Sequence, residues 1–218
     1  MKTAPLTPEN HVAVAAEAAE ILRRGGVVIV PTDTVYGLAV DATNVGAVKK
    51  VFAIKKRAHL KALPVFVADI VAAAHAAVIP TRAIGLVKEL WPGQTTVVFR
   101  KRALIPDVVS GGGKTVGLRI PDYPFLNLLL ERYPHPLTAT SANLSGMEPA
   151  DSADEVRKMF TAALYIPDLL VDAGRLPASP PSTVLDFTDP ERPRILRMGA
   201  ISKEKLDQLL TQWQHYRG

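Results

Sequence analysis

"VIVPTDTVYGLAVDA", residues 28–42, opens as a core strand and then changes character. Val28, Ile29 and Val30 form a continuous apolar run, as in strands covered on both faces, and Pro31 closes it because proline cannot donate to a ladder. Thr32, Asp33, Thr34 and Tyr36 follow, four side chains that hydrogen-bond, before Gly37 turns the chain. If residues 32–36 stay extended, Thr32, Thr34 and Tyr36 share one face, because side chains alternate along a strand. Two hydroxyls and a phenol on one face make a hydrogen-bonding wall. A strand end whose threonines merely cover the sheet edge is the competing reading.

The surrounding chain alternates helix and strand signals. Thr7-Pro8-Glu9 reads as a helix start, and Val12, Ala15, Ala16, Ala19 and Leu22 recur at helical spacing up to Gly25. Asn44 caps a second helix through Val45, Val48 and Phe52. Strand signals recur at 63–68, 95–101, 115–120 and 136–140, with shorter ones in "LLVDAG", "STVLDF" and "RILRMG". Helices are predicted at 69–78, 81–91 (capped by Thr81), 124–132, from Asp151 or Ser152 to Phe160, and after Ser202 through Leu206, Leu209, Leu210 and Trp213. This interleaving predicts an α/β domain with a mixed sheet. One domain is expected over 1–218, with its core at about 15–202 and a C-terminal helix at about 202–214. The proline-rich "RLPASPPS", 175–182, reads as an ordered crossing loop, since strand-like sequence resumes after it.

Composition narrows the chemistry. With 48% hydrophobic and 22% charged residues, the chain is ordinarily globular. No apolar stretch approaches the roughly 18 residues that span a bilayer, and "MKTAPLTPEN" lacks the apolar core of a secretory signal, so a cytoplasmic location is expected. Asn143-Leu144-Ser145 accordingly reads as a chance match to a glycosylation acceptor. The absence of cysteine excludes disulfides, thiolate metal sites and cysteine nucleophiles. The five histidines, at 11, 59, 75, 135 and 215, show no metal spacing. A net charge of +5 favours anionic partners such as nucleotides or RNA.

Three further stretches carry chemistry. Lys55-Lys56-Arg57 sits where cations complement a helix C-terminus; Lys55 and Arg57 align on one phosphate chain only if the helix ends before them. In "SGGGKTVGLRIP", 110–121, Gly113-Lys114-Thr115 is not a P-loop: Val108 stands where a glycine is required, and a strand rather than a helix follows. A glycine turn accounts for Gly111–Gly113 but not for Arg119, a charge ending an apolar strand, whose planar fork suits a carboxylate or phosphate. "LTATSANLSG", 137–146, puts small hydroxyl residues directly after a short strand, where a ligand can approach the backbone. Ser141 has no legible histidine–acid pair to make it a nucleophile.

Taken in order, "PTDTVYGL", "KKR", "GLRIP", "TSANLSG", "PSTVLD" and "ILRMGAIS" resemble the YrdC/TsaC family, the threonylcarbamoyl-AMP synthases, from about residue 15 to 202. The likeness is to the short, single-domain members. It implies a twisted α/β sheet around a large, positively lined cavity. It also implies a reaction in which L-threonine, bicarbonate and ATP give threonylcarbamoyl-adenylate and pyrophosphate, with Mg2+ on the triphosphate. The product would serve threonylcarbamoyladenosine formation in tRNA through separate transfer proteins. By the same resemblance, Lys55 and Arg57 are the catalytic cations and hold the ATP phosphates with Lys61 and Arg197, and Thr115, Ser141 and Asn143 complete the nucleotide site. Arg119 takes the threonine carboxylate; Thr34, Ala139 and Ser182 line the amino-acid pocket and Tyr36 shapes its wall. No dedicated protein metal site is implied.

The chain departs from the family pattern at Ala58 and Met198, where prolines are usual, and at Phe66, where some relatives carry histidine. Two rivals stand beside this reading. One is a non-catalytic protein that binds double-stranded RNA or tRNA through a basic concave surface, although no aromatic stacking face is legible. The other is the carbamoyl-adenylating module of hydrogenase-maturation proteins, whose zinc-finger and acylphosphatase-like regions find no room in 218 cysteine-free residues.

Overall fold

A computed structural model describes residues 1–56, 61–161 and 165–215. The first third of the chain contains β1 (Lys2–Pro5), α1 (His11–Arg23), β2 (Val28–Val30), β3 (Gly37–Ala39), α2 (Val45–Lys55) and β4 (Val65–Phe66). It continues through α3 (Ile70–Ala76), β5 (Ala77–Val78), α4 (Ala83–Leu90), β6 (Thr95–Lys101), α5 (Asp107–Ser110), β7 (Thr115–Arg119) and α6 (Pro124–Arg132). The last stretch holds β8 (Leu137–Thr138), β9 (Thr140–Ser141), α7 (Ala153–Thr161), β10 (Leu169–Asp172), β11 (Thr183–Asp186), β12 (Arg194–Arg197) and α8 (Lys203–His215).

The strands form two mixed sheets. One runs β1-β10-β2-β3-β9; the other runs β12-β11-β6-β7-β4-β8, with β5 also paired to β6. β2 lies beside parallel β10 on one edge and antiparallel β3 on the other, which makes it central to its sheet. Its alternating side chains serve two cores. Val28 and Val30 pack with Ala15, Ala18 and Leu22 of α1 and Phe125, Leu126 and Leu129 of α6, whereas Ile29 joins Leu38, Val65, Val97 and Leu118 in the larger core. Full burial of each such aliphatic side chain contributes roughly 1.5–3 kcal/mol, which is why an unbroken Val-Ile-Val run marks this strand.

Local signals set most boundaries. Asn44 caps α2 by accepting the Ala47 amide at 3.0 Å. Pro124 opens α6, its fixed φ being preset for the first helical turn. Gly25 and Gly111 adopt positive φ at 71° and 62° to end α1 and α5. Two expectations are corrected. Thr7 does not cap α1: residues 7–10 close a separate turn in which Thr7 N donates to Asn10 Oδ1, and the helix starts at His11. Residues 31–36 are not extended; they form the turn that reverses β2 into β3, with Val30 opposite Gly37. Among the described residues, no helix is long and apolar enough to cross a membrane.

Candidate active site

The reversal at 31–36 is closed by a side chain. Thr32 Oγ1 accepts the Thr34 amide at 3.0 Å and donates to Val35 O at 2.8 Å. Its one proton being spent, the 3.0 Å contact between the two threonine hydroxyls has Thr34 as donor, which leaves a lone pair of Thr34 Oγ1 to accept from elsewhere. This local satisfaction is why a polar turn can follow a core strand: the Thr32 hydroxyl serves an amide and a carbonyl of the turn itself. Tyr36, at the end of the turn, is fully buried. Its hydroxyl donates to Gly174 O at 2.8 Å and accepts from Ala173 N at 3.0 Å; burial pushes its pKa up to about 12, so it stays protonated.

Arg119 ends β7 opposite this turn. Its Nε donates to Gly93 O at 2.8 Å and its NH2 to Asp33 Oδ1 at 2.5 Å, while NH1 points to Thr34 Oγ1 at 3.5 Å. Both partners of the ion pair are nine-tenths or more buried. One side of the guanidinium fork is therefore fixed, and the NH1 edge is turned to the cavity beside Thr34. The Phe66 ring lies 5.8 Å from the guanidinium carbon, a cation–π contact that favours the charge. Across the space, Arg197 at the end of β12 donates from Nε and NH2 to Ser182 O at 3.1 and 2.7 Å and from NH2 to Ser182 Oγ at 3.1 Å. Burial, and then the positive field of Arg119, draw the Arg197 pKa below the usual arginine value. Two guanidinium groups and one carboxylate leave a positive excess, so the space suits an anion.

That space is a cavity of about 310 Å3. It is lined by the turn at 32–37 and Ser141, by Pro64, Phe66 and Arg119, and by Pro181, Ser182 and Arg197, with Ala139 among them. Thr34, Tyr36, Arg119, Ala139 and Ser182, the five residues expected around threonine, all line it. So do Ser141 and Arg197 of the expected nucleotide set.

The remaining nucleotide residues are placed differently. Lys55 is buried at the C-terminal end of α2, and its ammonium donates to Ser141 O at 2.5 Å, Asn143 O at 2.9 Å and Asn143 Oδ1 at 2.6 Å. Asn143 is also buried; it accepts Ser141 Oγ at 2.6 Å and donates to Met147 O at 2.5 Å. The two thus stand behind the loop whose Ser141 faces the cavity. The helix does not end before Lys55, as an extended pairing with Arg57 requires; it ends immediately after, at Lys56 with φ 50°. Arg57 and Ala58 fall outside the described residues. Lys61 is exposed and does not line the cavity. Thr115 lies opposite Arg100 at the start of β7, four residues and roughly 13 Å along the strand from Arg119, and does not line this cavity.

Sequence reasoning missed Asp33 and Gln94. For Asp33 the signal existed, because a buried arginine calls for a counter-charge and Asp33 is the acid inside the polar turn. Gln94 carried none: its relevance comes from the loop across from it.

The architecture is a two-sheet α/β fold with two arginines on a small cavity where strands of both sheets meet. The chain belongs to the Sua5/YciO/YrdC family, whose model, described as "Telomere recombination", matches residues 20–199. It is 34% identical over 88% of its length to a threonylcarbamoyl-AMP synthase of Pyrococcus abyssi, spanning 56% of that protein. It is 33% identical over 81% of its length to the enzyme of the same name from Methylococcus capsulatus, spanning 94% of that one. The P. abyssi Sua5 crystal structure complexed with L-threonine superposes on 96% of the chain and 60% of its own, with a TM-score of 0.88 and 32% identity.

Proposed function

We propose that the chain is a threonylcarbamoyl-AMP synthase, converting L-threonine, bicarbonate and ATP to threonylcarbamoyl-adenylate and pyrophosphate. The observation that carries this reading is the Arg119 corner. A cavity-facing NH1, with the hydroxyl of Thr34 beside it, is built for one carboxylate of a small polar ligand. The similarity to a relative crystallised with L-threonine supports that identity for the ligand.

The chemistry needs no protein nucleophile. The threonine amine takes up bicarbonate carbon, losing water, and the resulting carbamate oxygen attacks the α-phosphorus of ATP as the bond to pyrophosphate breaks. What the protein must supply is position and positive charge. Arg119 and Thr34 would hold the carboxylate, with Ser182, Ala139 and the Tyr36 wall shaping the pocket. Arg197 would lie against the phosphates, with Lys55, Lys61 and Arg57 as the other cations and Ser141 and Asn143 along the nucleotide. Because the Lys55 ammonium rests on the carbonyls of Ser141 and Asn143, it would reach a phosphate by exchanging one of these acceptors. Mg2+ would enter as part of the ATP substrate, carried more by phosphates and water than by a protein cage. The adenylate would pass to transfer proteins that act on tRNA, in the cytoplasm.

The test is pyrophosphate release by the purified chain with ATP and Mg2+. Release that requires both L-threonine and bicarbonate, with an adenylate carrying labelled threonine, is expected. Salt-sensitive tRNA binding without any turnover would replace this reading with the RNA-binding one.

A further inference from the structure

The crossing loop at 175–182 is pinned at both ends and bare in the middle. At its start Arg175 pairs with Asp151 and Glu155 on the N-terminal side of α7, Leu176 is buried, and Leu176 N donates to Asp151 O at 2.8 Å. At its end Pro181 O accepts the Ala200 amide at 3.0 Å, and Ser182 is gripped by Arg197. Between these anchors, no backbone-to-backbone hydrogen bond joins residues 177–180 to another described residue. Three of the five residues 177–181 are prolines, which have no amide hydrogen to offer. A side chain from outside reaches this strap: Gln94 Nε2 donates to Ser179 Oγ at 3.0 Å and also to the carbonyl of Asp33.

The geometry of Gln94 suits a fixed post. Gly93 N donates to Ile120 O at 2.9 Å, Gly93 O takes the Arg119 Nε, and Gln94 O accepts Thr183 N at 3.0 Å, so the turn is bound to both β7 and β11. Both amide hydrogens of Gln94 are then spent. Since a backbone carbonyl only accepts, the atom facing Asp33 must be the nitrogen. The Ser179 hydroxyl gives its own proton to Pro180 O at 3.1 Å, leaving a lone pair for Gln94. Asp33 is the same residue whose carboxylate orients Arg119.

We infer that Gln94 is a positioning residue that latches the strap 177–181 down over the amino-acid end of the cavity, coupling strap closure to the Asp33–Arg119 corner. It touches neither substrate. It sets where Pro181 and Ser182 lie relative to Arg119, and so tunes retention of the amino acid rather than the phosphoryl chemistry. This inference rests on the threonine reading proposed above.

The chain's lack of cysteine gives a direct test. Ala178 is exposed on the strap, and Ala178→Cys supplies a unique attachment point for a nitroxide. In that background, Gln94→Ala and Ser179→Ala should each shift the spin-label spectrum towards the mobile component. Each should also weaken L-threonine binding by about five- to tenfold, the loss of roughly one neutral hydrogen bond, with KM for ATP unchanged. Gln94→Met, similar in length but with no donor, should behave as alanine does. Threonine binding that Gln94→Ala leaves intact, or a spectrum that it leaves unmoved, overturns the latch. Failure of the unsubstituted chain itself to bind threonine overturns the functional reading instead, so the two failures are told apart.

Discussion

Replacing Asp33 by asparagine tests the charge balance of the site most directly. The amide keeps the shape and one acceptor for Arg119 NH2, yet removes the carboxylate paired to it at 2.5 Å. Breaking a buried ion pair from one side costs about 3–5 kcal/mol, chiefly because the remaining charge is stranded. Here the low end applies, roughly 3 kcal/mol, since Arg119 retains Gly93 O and borders a cavity that admits water. For a chain of this size about 2–4 °C of melting temperature accompanies each kcal/mol, so Asp33→Asn should melt roughly 6–12 °C lower. L-Threonine should raise the variant's melting temperature by more than it raises the parent's, because the ligand carboxylate restores the missing counter-charge. Differential scanning fluorimetry with and without saturating threonine reads both effects. An unchanged melting temperature, or a threonine shift no larger than the parent's, refutes the argument that Asp33 compensates Arg119 at the proposed carboxylate site.

Three other substitutions follow from the same contacts. Tyr36→Phe removes the hydroxyl that bridges Ala173 N and Gly174 O; with Gly174 exposed to water, a loss of about 1–2 kcal/mol is expected by urea unfolding, with little change in ATP use. Gly199→Ala would set a Cβ 2.6 Å from both Ser182 C and Thr183 N, backbone atoms that cannot step aside. It should cost roughly 1–3 kcal/mol and displace Ser182, lowering threonine-dependent pyrophosphate release more than Ala substitutions on the exposed face of α8 do. Lys55→Met takes three hydrogen bonds from the Ser141–Asn143 loop, and amide exchange in residues 142–147 should accelerate while KM for ATP rises. Unaltered exchange there would show that Lys55 does not organise the loop.

Local chemistry made several elements legible. The Thr-Thr-Val-Val-Phe run is β6 with the expected ends, and Pro124 with its following leucines is α6, because both combine a strong pattern with an unambiguous boundary residue. β1 was not legible: "KTAP" has no apolar run, and it is a strand only because β10, 167 residues away at the Lys2–Leu169 pair, offers a parallel edge. The polar turn after β2 misled for a different reason. Threonine hydroxyls serve an extended face or close a turn equally well, and only the pairing of Val30 with Gly37 decides which. At the site, Arg119 and the hydroxyl residues stood out because polar groups at strand ends ask for partners. The partners did not stand out. Lys55 meets the Ser141 carbonyl across 86 positions, and Gln94 meets Ser179 across 85, separations over which local pattern carries no information.

Ala139 gives the cavity one mechanical property of its own. It lies between β8, which belongs to one sheet, and β9, which belongs to the other, and is the single residue by which the chain passes between them there. Its amide is tied to Pro64 O at 2.8 Å, and it lines the cavity itself. A rigid stitch of one residue means that the two sheets cannot part at this point without breaking a ladder, whatever happens farther out. Slow thermal loosening between them should therefore open the cavity from its far rim like a book held at the spine, and turnover should fade before the spine gives way.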